Sequence, residues 1–294
     1  MKICKTIIVL MFFALFSGCW NGSNKSDAYG NFEAVEIIVS AQAEGELMQF
    51  KLEEGDQLDK AETVGLIDTT ILSLQKQQLT AQLKAASANI ISQEKRIEAQ
   101  EETIENLLKQ KKRLQAMNKE EAVTDQEVDN ITTQVTVAQK NLEAAKQQKQ
   151  GLLYQKKALL AQLRQLEDRI SRCVINNPIN GTVLEKYIEE HELAVTGKPL
   201  YKVANLQELI LRAYISGAQL PQVKMGQKVE VVVDKDKKHN QSFSGRITWI
   251  ASEAEFTPKM IQTKEERVSQ VYAIKVRVKN DGTLKIGMPG EVRF

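Results

Sequence analysis

The sequence predicts an elongated α+β protein of several domains, in which a small β-sandwich is split by a long antiparallel α-helical coiled-coil hairpin and followed by a small antiparallel β-barrel. Three observations support this prediction. Two copies of a short sequence repeat lie on either side of the middle of the chain, about a hundred residues of heptad pattern separate them, and strand-like segments fill the remainder.

Composition limits the classes of function that are open to this chain. Its 294 residues include 40 basic and 38 acidic side chains, and this balance gives no electrostatic reason to expect a nucleic-acid partner. Aromatic residues make up only 5% of the chain, while Gln, Lys, Glu, Ala and Leu crowd its centre. That composition is typical of long exposed helices rather than of one large globular core.

Residues 1–19 have the pattern of a secretion signal. Lys2 and Lys5 give it a positive start, residues 7–16 form an apolar run too short to span a bilayer, and small residues precede Cys19. The end of this run resembles the bacterial lipobox, which implies that Cys19 is lipidated and becomes the first mature residue. The alternative is an ordinary cleaved signal that happens to contain a cysteine. We expect residues 20–35 to form a tether and then the first strand of the barrel.

The repeat aligns residues 45–54 with residues 181–190 without a gap. Each copy alternates apolar and polar residues around turn signals, which predicts a few short strands in residues 36–68 and again in residues 172–204. The pair resembles the two halves of a biotinyl/lipoyl-like domain. A carrier domain of that family has a modifiable Lys on the turn that joins its halves, whereas here the joint holds the helical segment. We therefore expect no cofactor; the alternative is a biotin or lipoyl carrier subunit.

Residues 69–171 contain heptads in both directions and no Pro. The first arm contains Leu83, Ile90, Ile97 and Ile104, interleaved with Leu79, Ala86, Gln93, Gln100, Leu107 and Leu114. The second arm contains Val128, Val135 and Leu142 beside Ile131, Ala138, Ala145, Leu152, Leu159 and Leu166. We expect two helices of ~75 Å each. An antiparallel hairpin is favoured over a two-chain coiled coil because only a hairpin returns the chain to complete the sandwich.

Polar residues interrupt this apolar seam near the middle of the rod. They are Gln93, Gln100, Lys149 and Lys156. We expect weaker helix pairing there than a uniform Leu/Ile seam would give.

The tip of the hairpin is predicted at residues 117–125, where Thr124 and Glu127 form a capping-box signature that begins the second helix. Arg113, Met117 and Thr124 resemble the Arg, Leu, Ser tip motif with which membrane fusion proteins contact TolC-like channels. That resemblance implies that Arg113 donates to carbonyls or carboxylates, that Met117 fills a groove and that Thr124 caps the helix while facing the partner. The alternative is a solvated Arg, a packing Met and a capping Thr without a partner.

Residues 205–294 are rich in strand-like segments, which predicts a small β-barrel. The predicted strands are Leu209–Ile215, Lys228–Val233, Phe243–Ile250, Val271–Val278 and Gly290–Phe294. Residues 205–209, 223–229 and 287–290 resemble the barrel of membrane fusion proteins of the HlyD and MacA type. We expect residues 219–224 to form one helical turn that plugs this barrel.

The order of tether, half-sandwich, hairpin, half-sandwich and barrel resembles the periplasmic adaptors, or membrane fusion proteins. The resemblance implies a lipid-anchored protein of the periplasm in a Gram-negative cell envelope, attached to the inner membrane. Its partners would be an ABC-type inner-membrane transporter, a TolC-like outer-membrane channel and further copies of itself in a hexameric ring. We expect no full membrane-proximal domain after the barrel, which favours ABC-type exporters. Contacts with the transporter would then come from the barrel and the lipid anchor, or from a reduced form of that domain near Asn31 to Glu36. Adaptors of proton-driven pumps and a coiled-coil spacer lipoprotein are the alternatives.

Catalytic chemistry is not expected. Neither His191 nor His239 has the spacing to Cys, Asp or Glu that a metal site or catalytic base requires, and no Gly-rich phosphate loop is present. His191 aligns with Gly55 in the repeat, so we expect it at a turn. We expect Cys173 to lie on the first strand after the hairpin, as a small buried apolar residue.

Overall fold

A computed structural model describes residues 26–236, 239–256 and 270–294 of the chain. The predicted signal segment and Cys19 lie outside the described residues. The described chain divides into two compact units: one contains residues up to Ile37 together with Ala204–Phe294, and the other contains Ile38–Val203.

The elements before the long helices are β1 (Ala28–Glu33), β2 (Glu36–Ser40), β3 (Gly45–Gln49), β4 (Gln57–Leu58) and β5 (Thr63–Ile67). The two helices are α1 (Thr70–Lys119) and α2 (Asp125–Ser171). The next strands are β6 (Val174–Asn176), β7 (Gly181–Lys186), β8 (Leu193–Ala194) and β9 (Pro199–Ala204). The last are β10 (Glu208–Ser216), a 3-10 helix (Leu220–Gln222), β11 (Lys228–Asp234), β12 (Asn240–Ile250), β13 (Glu255–Phe256), β14 (Gln270–Lys279) and β15 (Pro289–Arg293).

The two halves of the sandwich exchange strands in a symmetric way, which is consistent with their sequence repeat. The four-stranded sheets have the orders β2-β9-β7-β4 and β6-β5-β3-β8, so each contains strands from both copies. The pairing of Gly45 with Ala194 on one side has its counterpart in the pairing of Leu58 with Gly181 on the other. Neither half can complete a sheet alone, so the strands before and after the hairpin must fold together.

The sandwich core combines apolar packing with one buried polar network. Asn177 is almost fully buried; its side-chain amide donates to the Asp59 carbonyl at 3.0 Å, and its amide oxygen accepts from the Tyr201 hydroxyl at 3.2 Å. The Phe50 and Tyr201 rings lie 6.1 Å apart between centroids. Because a buried amide without partners would cost free energy, these bonds favour this one packing arrangement of the core.

The helical hairpin has the apolar seam that the heptads predict. Buried positions on α1 are Leu79, Leu83, Ala86, Ile90, Gln93, Ile97 and Ile104, and those on α2 are Ile131, Val135, Ala145 and Leu166. Gln93 donates from Nε2 to the Ala145 carbonyl at 3.0 Å, which satisfies a polar group inside the seam. The Oε1 atom of Gln100 is buried without a hydrogen-bond partner among the described residues.

The barrel unit is a closed ring of six antiparallel strands in the order β10-β1-β15-β11-β12-β14, closed by pairing of β10 with β14. Its core consists of alternate residues from every strand, among them Phe32, Leu211, Val231, Ile247 and Val276. Leu220 of the 3-10 helix packs against this core. The predicted fold class, a split sandwich with an inserted helical hairpin and a β-barrel, is confirmed.

Candidate functional site at the hairpin tip

Helix α1 ends in a Schellman motif that reverses the chain tightly. The Ala122 N–H donates to the Met117 carbonyl at 2.9 Å, and the Glu121 N–H donates to the Asn118 carbonyl at 3.0 Å. Glu121 has a φ of 54°, a left-handed conformation that Gly usually adopts at this position. The turn is thus formed despite the conformational cost of a side chain there.

Helix α2 begins at a cap formed by Thr124. The Thr124 backbone N–H donates to the Glu127 carboxylate at 2.9 Å, and the Thr124 hydroxyl lies 3.2 Å from the same oxygen. Asp125 and Glu127 add negative charge to the first turn, where the helix dipole favours it. The predicted start of α2 therefore has the side-chain chemistry expected from its sequence.

Asn118 stabilises the turn through hydrogen bonds of its side chain. Its Nδ2 atom donates to the Val123 carbonyl at 3.1 Å and to the Asp125 carboxylate at 3.0 Å, so it joins the last turn of α1 to the first turn of α2. This role of Asn118 was not predicted from the sequence. Its one sequence signal is its position seven residues before Asp125. An Asn at such a spacing is too common to predict a hydrogen bond across the turn.

The three predicted tip residues all have exposed side chains. Arg113 and Met117 are four residues apart on α1, which places them on one face of that helix one turn apart, and Met117 is 43% exposed. Thr124 lies across the turn at the start of α2. Arg113 forms no ion pair with any described residue, so its guanidinium is free to donate to another molecule.

Together the tip offers a cation, an apolar side chain and a hydroxyl on a turn held by its own hydrogen bonds. A pre-organised turn loses little conformational entropy when it binds, which is an advantage for a docking surface. No step of covalent chemistry follows from these groups. The arrangement suits recognition of another protein surface.

His191 and Cys173 occupy structural positions. His191 has a φ of 70° and Gly55 has a φ of 98°, so the equivalent turns of the repeat share a left-handed residue. The His191 ring lies 3.0 Å from the Glu46 carboxylate on the surface. Cys173 is buried, and burial raises the pKa of its thiol, which makes it less reactive. No group of three potential metal ligands occurs among the described residues.

None of the helices in the described part of the chain combines the length and the apolar character that a membrane span requires.

No family model matches the chain. A protein named "UPF0194 membrane protein" from Yersinia pseudotuberculosis is 28% identical, and the match covers 99% of this chain and 97% of that protein. A second protein of that name, from Acidithiobacillus ferridurans, is 25% identical over 90% of this chain and 86% of its own length.

Among solved structures, MacA from Actinobacillus actinomycetemcomitans matches with a TM-score of 0.65 and 22% identity, over 90% of this chain and 76% of that one. A MacA–MexA chimera that carries the Pseudomonas aeruginosa MexA α-hairpin domain matches with a TM-score of 0.52 and 21% identity, with the same coverage. The resemblance to membrane fusion proteins of the MacA type is therefore confirmed at the level of the fold.

Proposed function

We propose that this protein is a periplasmic adaptor that links an inner-membrane ABC-type transporter to a TolC-like outer-membrane channel. In this proposal Arg113, Met117 and Thr124 contact the channel at the end of the hairpin. The observation that carries the proposal is the tip itself: three exposed side chains of complementary chemistry on a braced turn, at the end of two paired helices of 50 and 47 residues. At ~1.5 Å per residue each helix reaches ~70–75 Å, which suits a bridge between two membrane proteins.

The chemistry of each tip residue supports a specific contact. Arg113 can donate two parallel hydrogen bonds to a carboxylate or to backbone carbonyls of the channel. Met117 is unbranched and adaptable, so it can fill an irregular apolar groove. The hydroxyl proton of Thr124 is directed to Glu127, but the oxygen retains a lone pair that can accept from the partner.

Assembly into a ring, predicted as a hexamer, is supported by apolar side chains left on the outside of the hairpin. Ile71, Leu74, Ile91, Val137 and Tyr154 are all more than half exposed. Exposed apolar side chains along a rod indicate a surface that another protein covers. Copies of the same hairpin placed side by side would bury such residues.

Anchoring and localisation belong to the same proposal. Lipidation of Cys19 would hold the protein at the periplasmic face of the inner membrane, next to the transporter. The energy for export would come from that transporter. The adaptor would contribute contacts only.

The test is affinity purification of the tagged protein from crosslinked membranes, comparing the native chain with Arg113→Asp. We expect a TolC-like channel and an ABC permease to co-purify with the native chain. Because charge reversal removes the donor and adds repulsion, recovery of the channel should fall at least about tenfold while that of the permease is unchanged.

Arg96→Asp is the matched control, since Arg96 is an exposed arginine in the middle of the same helix. It should leave both partners in place. If a proton-driven pump is recovered instead of an ABC permease, the transporter assignment is wrong. If neither membrane partner appears with the native chain, a spacer lipoprotein is the better account.

A further inference from the structure

Three cations face each other on neighbouring strands of the barrel's outer surface. Lys228 on β11 is paired directly with Arg246 on β12, and Arg246 is paired directly with Arg277 on β14. All three side chains are exposed, whereas their chain neighbours Val229, Ile247 and Val276 point into the core. Like charges in directly opposed positions of a sheet destabilise it. The stability of the barrel therefore does not explain why three cations are placed side by side.

The row continues along β14. Lys275 and Lys279 occupy alternate positions on either side of Arg277, so they project from the same outer face. We define the basic face as Lys228, Arg246, Lys275, Arg277 and Lys279. Among the described residues, acidic side chains offset it only at its margin.

Two carboxylates border this face. Glu208 lies 4.0 Å from the Arg277 guanidinium, and Glu230 lies 3.7 Å from Arg293. Lys228 and Arg246 have no carboxylate within ion-pair distance among the described residues. Arg246 instead donates to the Gly226 carbonyl at 3.0 Å. The face thus has positive charge that the described part of the barrel does not neutralise.

Two exposed apolar side chains accompany these cations. Trp249 is 40% exposed, and the Lys275 ammonium lies 5.3 Å from the centroid of its ring. Met225, which is 69% exposed, precedes Gly226 in the turn to which Arg246 is bonded. Trp at a cationic surface is the arrangement found where proteins meet lipid headgroups, since the indole is amphipathic.

The chain itself keeps the barrel close to its N-terminal segment. Six residues lie between Cys19 and Ser26, so the seven steps from one to the other reach at most ~25 Å. At the end of this tether the Asp27 carbonyl accepts a hydrogen bond of 2.7 Å from the Gln219 side chain. Gln219 precedes Lys224 and Met225 by five and six residues, so the apolar turn lies within ~20 Å of the tether's end.

We propose that the basic face docks on the surface of an anionic phospholipid bilayer, with Trp249 and Met225 at headgroup depth. The cations bind the lipid phosphates, and the two apolar side chains add contact area. Closeness of the barrel to the membrane depends on the lipid anchoring proposed above, whereas the charge and exposure of the face do not. An acidic protein surface is the competing occupant, but it would not require exposed Trp249 and Met225 among the cations.

The experiment uses the chain from Asn21 onward, which retains every described residue, has no lipid, and contains Trp249 as its only tryptophan. Vesicles of phosphatidylcholine with about one-third phosphatidylglycerol are compared with vesicles of phosphatidylcholine alone, in buffer of low ionic strength. We expect co-flotation and a blue shift of Trp249 emission with the anionic vesicles only.

Arg246→Gln combined with Arg277→Gln should weaken this binding by roughly 25-fold, since each cation near an anionic surface contributes about fivefold. The control, Lys84→Gln with Lys157→Gln, makes the same change in net charge on the exposed sides of the hairpin and should bind as the native chain does. The double arginine variant should melt at the same or a higher temperature because facing like charges are removed. Misfolding would instead lower its melting temperature.

Three results would overturn the proposal. One is equal binding to neutral and anionic vesicles, and another is anionic binding that the arginine variant retains. The third is no vesicle binding at all; loss of the transporter from crosslinked membranes of the arginine variant would then assign the face to a protein partner. The vesicle result is independent of channel recovery with Arg113→Asp, so failure of either proposal can be recognised separately.

Discussion

The barrel and the hairpin are stabilised in different ways. Core residues of the barrel such as Leu211, Val231 and Val276 are fully buried in a closed ring of strands. The buried residues of the hairpin form a single seam between two helices, and one of them is Gln93. Stability in the barrel therefore comes from enclosed apolar area, whereas the rod depends on a thin seam and on bonds within each helix. We infer that the rod opens locally at a lower free energy than the barrel does.

The largest effect should come from adding a single methyl group in the barrel. A Cβ atom at Gly30 would lie 1.8 Å from the Arg212 carbonyl oxygen and 2.5 Å from the Ala213 Cα atom, both in the backbone of the neighbouring strand. Gly30→Ala must push β1 away from β10, and we expect a loss of more than about 3 kcal/mol. Denaturant unfolding followed by Trp249 emission, in the chain from Asn21, reports on the barrel.

Gly217→Ala is the control for that variant. Its Cβ would meet only the Tyr272 ring, at an ordinary 3.8 Å. It should change the free energy of unfolding by less than about 0.5 kcal/mol. Similar losses in both variants would mean that close strand packing is not what stabilises the barrel.

The next largest effect compares one substitution in the two regions. Ile247 in the barrel is 1% exposed and Ile97 in the hairpin seam is 8% exposed. Ile247→Ala leaves a cavity in an enclosed core and should cost about 3–4 kcal/mol, whereas Ile97→Ala should cost about 2 kcal/mol because the two helices can close together around it. Amide hydrogen exchange measures the two regions separately. A greater loss at Ile97 would reverse the proposed order of stability.

The fold class could be predicted because its signals are periodic. The repeat and the heptads extend over many residues, so a local ambiguity at a position such as Gln93 does not alter the pattern. The exchange of strands between the halves follows from symmetry only once the structure is known. Pairings such as Leu58 with Gly181 depend on the three-dimensional path of the chain, which alternation of residues does not specify.

The candidate site was predictable in part. The cap at Thr124 has a sequence signature, and the structure contains it. The left-handed conformation of Glu121 has no sequence signature, because Gly is the usual residue at that position and a Glu does not predict it. The contact of Arg113, Met117 and Thr124 with a channel stays a prediction, since it concerns a partner and is not determined by the fold of this chain.

Replacing Gly151 in α2 by Ala should stabilise the protein, which is the opposite of the effect expected for Gly30→Ala. Nothing lies within 4 Å of the Cβ that Gly151→Ala would add, and the residue is in the middle of a helix. Removing a helical glycine should stabilise the rod by about 0.8–1 kcal/mol. Slower amide exchange around residue 151, with no change in the barrel, is the expected observation. Faster exchange would show that the rod uses this glycine as a point of bending.

The smallest effect concerns the polar contacts across the seam. Lys149 and Glu94 join the two helices at 2.9 Å, but both side chains are partly exposed. A double-mutant cycle with Lys149→Gln and Glu94→Gln should give a coupling of about 0.5 kcal/mol at low salt that vanishes near 1 M salt. The pair of Lys95 with Glu98, within one helix, provides a reference. A coupling well above 1 kcal/mol that persists in salt would mean that ion pairs hold the rod together as strongly as its apolar seam does. The rod and the barrel would then differ in the kind of interaction that stabilises them rather than in how stable they are.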